Sequence, residues 1–346
     1  MSNSPPTMVE LAKQSGFSLA TVSRALDHSK SHLLAPATRE KILQCADALG
    51  FQVNQAARNL RTNRTGSIAL LIPDHMIYGG NSGSDFSIHP VFANDINEAF
   101  RVSGEAGYDL KLYLIPRHFQ AADEESLLNK LTTRYCDGVL VIGYSGSHFL
   151  PELTASGIPL VVINRETPLQ ISSHQVILDR TPGIVQAVDY LISQGRRSFG
   201  WISTKLNFGT LEKFKIYRDA LKSNNLFRQD AVFEITDYYE LRRLVDDGRL
   251  NSLDAVMCSN DTMANWLVRE LRFLGRDVPE NIAVVGYDGN PAYHGSAAPD
   301  LGTVMVPRAE MVRQGIKRLT EVMRGDGQLP KSKDSFETFF YKGSTC

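Results

Sequence analysis

The sequence predicts an α/β protein, a small helical head followed by two doubly wound parallel sheets, and three observations support this. Residues 1–65 carry three short amphipathic patterns of helical period and no strand-like apolar run. From Ser67 onward, short and uniformly apolar runs alternate with helix-length segments, as parallel strands covered on both faces do. The runs are too many for one ordinary sheet, and 346 residues exceed what one core normally holds, so they divide between two.

In the head, Thr7 can cap a helix whose Met8, Leu11, Ala12 and Ser15 share one face. The turn Gly16-Phe17-Ser18 is too tight for anything but a steep crossing into a second helix, with Val22, Ala25 and Leu26 inward. Pro36 suits the first position of a third helix buried through Ile42, Cys45, Ala46 and Leu49. This is helix-turn-helix geometry. The outward side chains of the second helix fit a major groove: Arg24 can fork onto guanine, and Leu19 and Ala20 can touch a thymine methyl. Ser18, Thr21 and Ser23 suit phosphate oxygens or base edges. Charge agrees, since eight basic residues against four acidic ones give residues 1–65 a net +4, while the whole chain is −1.

Strands are expected at residues 67–72, 110–115, 138–142, 160–163, 176–178, 198–202, 232–235, 255–258 and 282–285. Helices are expected at 91–107, 124–134, 181–194, 211–224 and 261–274. Ligands of such folds sit at the carboxyl ends of strands, where this chain places Asn164, Asp179, Asn260-Asp261 and Asp288. Asn and Asp there can bond vicinal hydroxyls, and Tyr238 can stack on the apolar face of a sugar ring. Capping a helix is the competing use for each Asn or Asp.

LAKQSGFSLATVSRAL (Leu11–Leu26), TREKI (Thr38–Ile42), LGF (Leu49–Phe51) and AARNLRTNRTGSIALLIP (Ala56–Pro73) strongly resemble the DNA-binding head of the LacI/GalR family of bacterial regulators. SNDTMA (Ser259–Ala264), VVGYDG (Val284–Gly289) and GST (Gly343–Thr345) are similar to that family's sensor motifs, so the resemblance spans essentially the whole chain. It implies two lobes of periplasmic-binding-protein type and a hinge helix that lies in the minor groove. The division it implies is a head at 1–53, a hinge at 54–65, and a ligand-binding and dimerisation region at 66–346. In that region, lobe 1 takes about 66–177 and 291–326, and lobe 2 about 178–290 and 327–346.

DNA contacts are expected from Thr7, Ser18, Leu19, Ala20, Thr21, Ser23 and Arg24, and from Asn54, Ala57, Leu60 and Arg61 of the hinge. Leu60 holds the place of a wedge that opens a base step. Ligand contacts are expected from Asn164, Lys213, Tyr238, Asn260 and Asp288. Departures from the family pattern include Ala35 for a capping serine and Val53 for a proline. Others are Lys213 for an arginine, Gly289 for an aspartate, and an insertion over residues 76–89. Lysine supplies a point charge without the bidentate fork.

The resemblance implies a dimeric repressor that binds operator DNA and responds to a small polar ligand, a sugar or sugar derivative. The alternative, a sugar-binding protein without DNA-binding activity, needs an export signal and no basic head, and the sequence has the reverse. No enzymatic constellation emerges. The eight histidines are scattered, GYSGS and GNSGS lack the final glycine of a nucleophile elbow, and no Gly-Lys-Ser/Thr phosphate loop occurs. No cofactor or metal is expected. Cys45, Cys136, Cys258 and Cys346 are far apart, no run approaches a bilayer span, and Met1–Thr7 lacks the plan of a secretory signal; a cytoplasmic protein is expected.

Overall fold

A computed structural model describes residues 6–26, 32–52, 64–73, 90–115, 121–143, 149–163, 173–204, 208–295, 299–325 and 333–346. The chain divides into two compact units, Met1–Thr65 and Gly66–Cys346.

The first unit holds α1 (Met8–Ser15), α2 (Leu19–Leu26) and α3 (Pro36–Leu49). Thr7 and Glu10 form a reciprocal capping box at α1: the Thr7 hydroxyl accepts from the Glu10 amide, and the Glu10 carboxylate accepts from the Thr7 amide at 2.7 Å. Gly16 closes α1 at φ 76°, a left-handed conformation that glycine adopts freely. Ala35 precedes α3 with no side-chain cap, and Pro36 opens the helix, where a missing N–H costs nothing. Leu11, Val22, Ala25, Ile42 and Ala46 form the buried core, with Met8, Phe17 and Leu49 packed around it.

The second unit begins with β1 (Ser67–Pro73), α4 (Pro90–Glu105), β2 (Asp109–Ile115), α5 (Ala121–Lys130), β3 (Gly138–Ile142), α6 (Phe149–Ala155), β4 (Leu160–Ile163) and β5 (His174–Asp179). It continues through α7 (Thr181–Ser193), β6 (Phe199–Ser203), α8 (Phe208–Ser223), β7 (Val232–Glu234), α9 (Tyr238–Asp246), β8 (Ala255–Cys258), α10 (Asp261–Phe273) and β9 (Ala283–Asp288). It ends with β10 (Gly302–Met305), α11 (Arg308–Arg324), β11 (Lys333–Glu337) and β12 (Phe339–Tyr341).

These strands form two six-stranded sheets, ordered β11-β5-β4-β3-β1-β2 and β12-β10-β9-β8-β6-β7. The first is parallel throughout; in the second only β12 runs antiparallel, against β10. The inner strands are buried on both faces. In β1, Ile68, Leu70 and Ile72 enter one core while Ala69 and Leu71 enter another. In β8, Ala255 and Met257 share the first of these, while Val256 and Cys258 join a third. This two-sided burial makes the runs continuous rather than alternating.

The lobe boundaries differ from the sequence expectation. β10 pairs with β9 and therefore belongs to lobe 2, so the second crossover lies at Val306–Pro307 instead of near residue 290. β11 pairs with β5, which keeps residues 333–337 in lobe 1 and moves the third crossover from 327 to Thr338. The three strands missed by sequence are short or polar: Lys333–Glu337 alternates exposed and partly buried residues at a sheet edge.

Candidate functional site

Along α2 and its cap, Thr21, Ser23 and Leu26 are partly buried. Val22 and Ala25 are fully buried, whereas Ser18, Leu19, Ala20 and Arg24 are exposed. The Ser18 hydroxyl caps the helix by accepting from the Thr21 amide at 3.1 Å and lies 2.8 Å from the Thr21 hydroxyl. Thr7, expected at the DNA, spends its hydroxyl on the capping box. Asn54, Ala57, Leu60 and Arg61 lie outside the described residues, as do Asn164 and the 76–89 insertion.

In the second unit, the mouth of lobe 2 is built from strand ends. β9 terminates in Tyr287 and Asp288. Asp288 has φ 107°, a conformation costly for a side-chain-bearing residue and characteristic of functional sites. Gly289 follows at φ 69°, and a Cβ there would stand 2.7 Å from Met305 Sδ. A side chain at 289 would therefore be strained at this φ and would need Met305 to shift.

Lys213, on the first turns of α8, donates to the Ser259 carbonyl at 2.9 Å and lies 3.5 Å from Asp288 Oδ1. Its ammonium stands 3.7 Å from the centre of the Tyr287 ring. Burial pulls the Lys213 pKa down, and the Asp288 carboxylate opposes that pull. Arg180 and Glu212 pair beside it at 3.0 Å. From lobe 1, Asp95 of α4 receives a bidentate guanidinium from Arg308, the first residue of α11, with Nε–Oδ1 at 2.9 Å and a second contact from a terminal nitrogen to Oδ2. Arg308 also stacks over Phe92, at 4.8 Å, and the Asp288 charge favours its protonated form. Burial disfavours that charge, but Asp95 outweighs it and holds the guanidinium protonated.

Three cation–carboxylate pairs thus converge where the crossovers meet: Arg180–Glu212, Lys213–Asp288 and Arg308–Asp95. The Tyr287 hydroxyl is buried near them with no hydrogen-bond partner among the described residues.

Of the ligand contacts expected from the sequence, the structure brings Lys213 and Asp288 together. Asn260 sits nearby; its Oδ1 caps α10 by accepting from the Met263 amide at 2.9 Å, which leaves its amide nitrogen for a ligand. Asp179 likewise accepts from the Thr181 amide, at 2.8 Å. Tyr238 departs from expectation. It opens α9, packs edge-on to Trp266 and donates its hydroxyl to Glu270. Glu270 lies ten residues along α10 from Asn260, about 15 Å by helical rise, so Tyr238 is turned away from the mouth.

Asp95, Arg180, Glu212, Tyr287 and Arg308 were missed. Asp95 left a signal: a carboxylate immediately before Ile96 and four residues before Ala99, on the buried side of its helix.

The motifs SNDTMA and VVGYDG now have a physical reason. A Cβ on Gly286 would stand 2.2 Å from Asp261 Oδ1, so glycine admits the buried Asp261 against β9. There Asp261 accepts from Thr303 Oγ1 at 2.5 Å and the Asn290 amide at 2.6 Å, tying α10 to the ends of β9 and β10. Burial pushes the Asp261 pKa up, against these bonds and that of His294.

Residues 7–54 match the family described as bacterial regulatory proteins, lacI family, and residues 188–345 match the periplasmic binding protein-like domain. The chain is 30% identical to the HTH-type transcriptional regulator CelR of Thermobifida fusca, over 94% of each protein. It belongs to the lacI family. The HTH-type transcriptional regulator AscG of Escherichia coli (strain K12) is 27% identical over 94% of this chain and 95% of that one. Among solved structures, a lac repressor dimer bound to operator and the anti-inducer ONPF is similar with TM-score 0.77 at 18% identity, covering 99% of both chains. A CelR–cellobiose complex is similar with TM-score 0.68 at 26% identity, covering 99% of this chain and all of that one. The relatives named in these matches are transcription regulators rather than enzymes. Within this lacI-family chain, no helix among the described residues is long and apolar enough to cross a membrane, and no cluster of metal-ligating side chains occurs among them.

Proposed function

We propose that this lacI-family protein is a cytoplasmic homodimeric repressor whose operator affinity is set by an uncharged, hydroxyl-rich ligand held at the Lys213–Asp288 mouth. The carrying observation is the set of three ion pairs. Each of these three cations already faces a carboxylate, so none of them is left to neutralise an anionic ligand. A phosphorylated or carboxylated ligand would have to break a pair and leave a carboxylate unmatched, which is costly in a desolvated site. A sugar hydroxyl can instead donate to Asp288 and accept from Lys213 without net charge transfer. The amide nitrogen of Asn260 and the hydroxyl of Tyr287 add to the polar set, and Asn164, outside the described residues, keeps the contact assigned from the sequence; Tyr238 is not assigned one.

The exposed face of α2, with Thr7 beside it, is assigned to the operator's major groove. Asn54, Ala57, Leu60 and Arg61 are assigned to the minor groove. Exposed apolar side chains, Leu112 and Leu114 on edge strand β2 and Tyr239 and Phe273 on α9 and α10, support pairing with a second copy. Two heads then match a pseudo-palindrome.

Melting-temperature shifts against neutral disaccharides and sugar phosphates test this reading, followed by DNA titrations with the hits. A ligand present at one hundred times its Kd stabilises the native state by about 2.7 kcal/mol. Neutral sugars are expected to raise the melting temperature and change DNA affinity, and Asp288→Asn is expected to abolish both effects. A sugar phosphate that binds tightly while neutral sugars do nothing would refute the uncharged ligand.

A further inference from the structure

A second cavity, of about 440 Å³, straddles the two lobes and falls within the size range of small-molecule sites. Lobe 1 contributes Ile177 and Leu178 of β5 and Ser335 of β11, and lobe 2 contributes α8. Glu212, Lys215, Ile216 and Asp219 recur there at i, i+3, i+4 and i+7, one face of the helix, whereas Lys213 projects from another face to Asp288. The cavity also borders the hinge. The first crossover lines it through Asp179, Arg180 and Thr181. Thr338 of the third crossover donates to the Asp179 carbonyl at 3.2 Å and accepts from the Gly183 amide at 3.1 Å.

The charges lining this cavity are not all matched. Arg180 and Glu212 pair with each other, and Arg218 holds Asp219 at 2.9 Å. Lys215 and Asp179 have no ion-pair partner among the described residues, and Asp179 spends one oxygen on the Thr181 amide. An anion bound at Lys215 would leave Asp179 unmatched, and a cation bound at Asp179 would leave Lys215 so. One molecule carrying both charges on an aliphatic body serves both and covers the apolar surface of Ile177, Leu178 and Ile216. The geometry points to a second ligand site that takes a small aliphatic zwitterion, an amino acid, with its carboxylate on Lys215 and its ammonium on Asp179. Both lobes supply the lining, so the occupant favours one lobe arrangement over another. By linkage it changes the affinity for sugar and operator, and they change its own. That coupling rests on the sugar and operator reading above; the site does not.

Isothermal titration of the full-length protein, at two temperatures, compares L-valine, L-leucine and 4-aminobutyrate with butylamine and butyrate. At least one zwitterion is expected to bind about tenfold more tightly than either singly charged probe, the worth of one charge-assisted hydrogen bond. Lys215→Met should cost the zwitterion a similar factor while improving butylamine. Ser335→Tyr, which fills the cavity from the edge strand, should remove binding of both. Neither residue belongs to the mouth, so both variants should keep the melting shift that neutral sugars produce. Zwitterion binding that survives both variants, or that is lost in Asp288→Asn instead, would put the ligand elsewhere and overturn the site. Equal affinity for all the probes, or no binding of any, would overturn it too. Zwitterion binding that leaves sugar and operator affinity unchanged would overturn the coupling. Zwitterion binding by a protein that answers no sugar would leave this site standing and overturn the sugar reading.

Discussion

The head and the ligand-binding lobes solve the problem of building a site in opposite ways. In the head, the candidate contacts Ser18, Leu19, Ala20, Thr21, Ser23 and Arg24 lie within seven residues, on one short helix and its cap. In the lobes, the mouth is assembled from Asp95, Arg180, Lys213, Asp288 and Arg308, spread over more than two hundred residues and brought together only when both sheets have closed. A local site tolerates change elsewhere in the chain. An assembled site couples its chemistry to the packing of everything that delivers it, and this coupling is what a ligand-driven switch requires.

The sharpest way to break the comparison is to remove one partner of an assembled pair. Asp95 is 2% exposed beneath Arg308. Asp95→Ala leaves a buried guanidinium unmatched, and the lobes are expected to lose about 3–5 kcal/mol of stability. Denaturant unfolding followed by tryptophan fluorescence reads this directly, because Trp201 lies fully buried in the lobe core. The double variant Asp95→Ala with Arg308→Met should recover much of the loss. A single variant as stable as the parent would show that Arg308 is solvated and the pair is not structural.

The same contrast explains what was legible in the sequence. The head was nearly complete on paper, because Thr7, Gly16, Ser18 and Pro36 announce their helix ends within four residues of where they act. Nine strands of the sheets were legible because two-sided burial makes them continuously apolar. β10, β11 and β12 were not: their pairing with β9, β5 and β10 depends on partners far away in sequence. Lys213 was expected from the resemblance alone and Asp288 also from its place at a strand end, whereas Arg308 follows a strand that the sequence did not reveal. Tyr238 misled for a related reason. Its Asp237 cap starts a helix whose packing on α10 decides where the ring goes.

A local cap predicts a smaller and more confined effect. Thr7→Ala removes the side-chain acceptor at the start of α1 and is expected to destabilise the head by about 1 kcal/mol. Hydrogen exchange at the Glu10 amide, which now donates to that hydroxyl, should quicken along with the rest of the head, while amides of β1 and β8 stay unchanged. Equal acceleration in the sheets would mean that the two units do not unfold independently, and the contrast between local and assembled sites would weaken.

The smallest effect is expected at the rim of lobe 1, where Asp334 on β11 gathers His174 Nε2 at 2.8 Å, Gln314 at 2.7 Å and Arg318 at 3.1 Å. Glu321 shares Arg318. Burial alone would raise the Asp334 pKa, but the hydrogen bonds from Arg318, Gln314 and His174 outweigh it and hold the carboxyl well below its usual range. A carboxyl depressed on folding binds fewer protons in the native state than in the unfolded one. Its contribution is therefore complete above the ordinary aspartate value of about 3.9 and is lost as pH falls through the lower native value. Asp334→Asn removes that dependence. At neutral pH the variant is expected to be modestly less stable than the parent, and the gap should close as acid is added. A gap that stayed constant down to pH 2 would mean that the network holds β11 through geometry alone and that its charge contributes nothing.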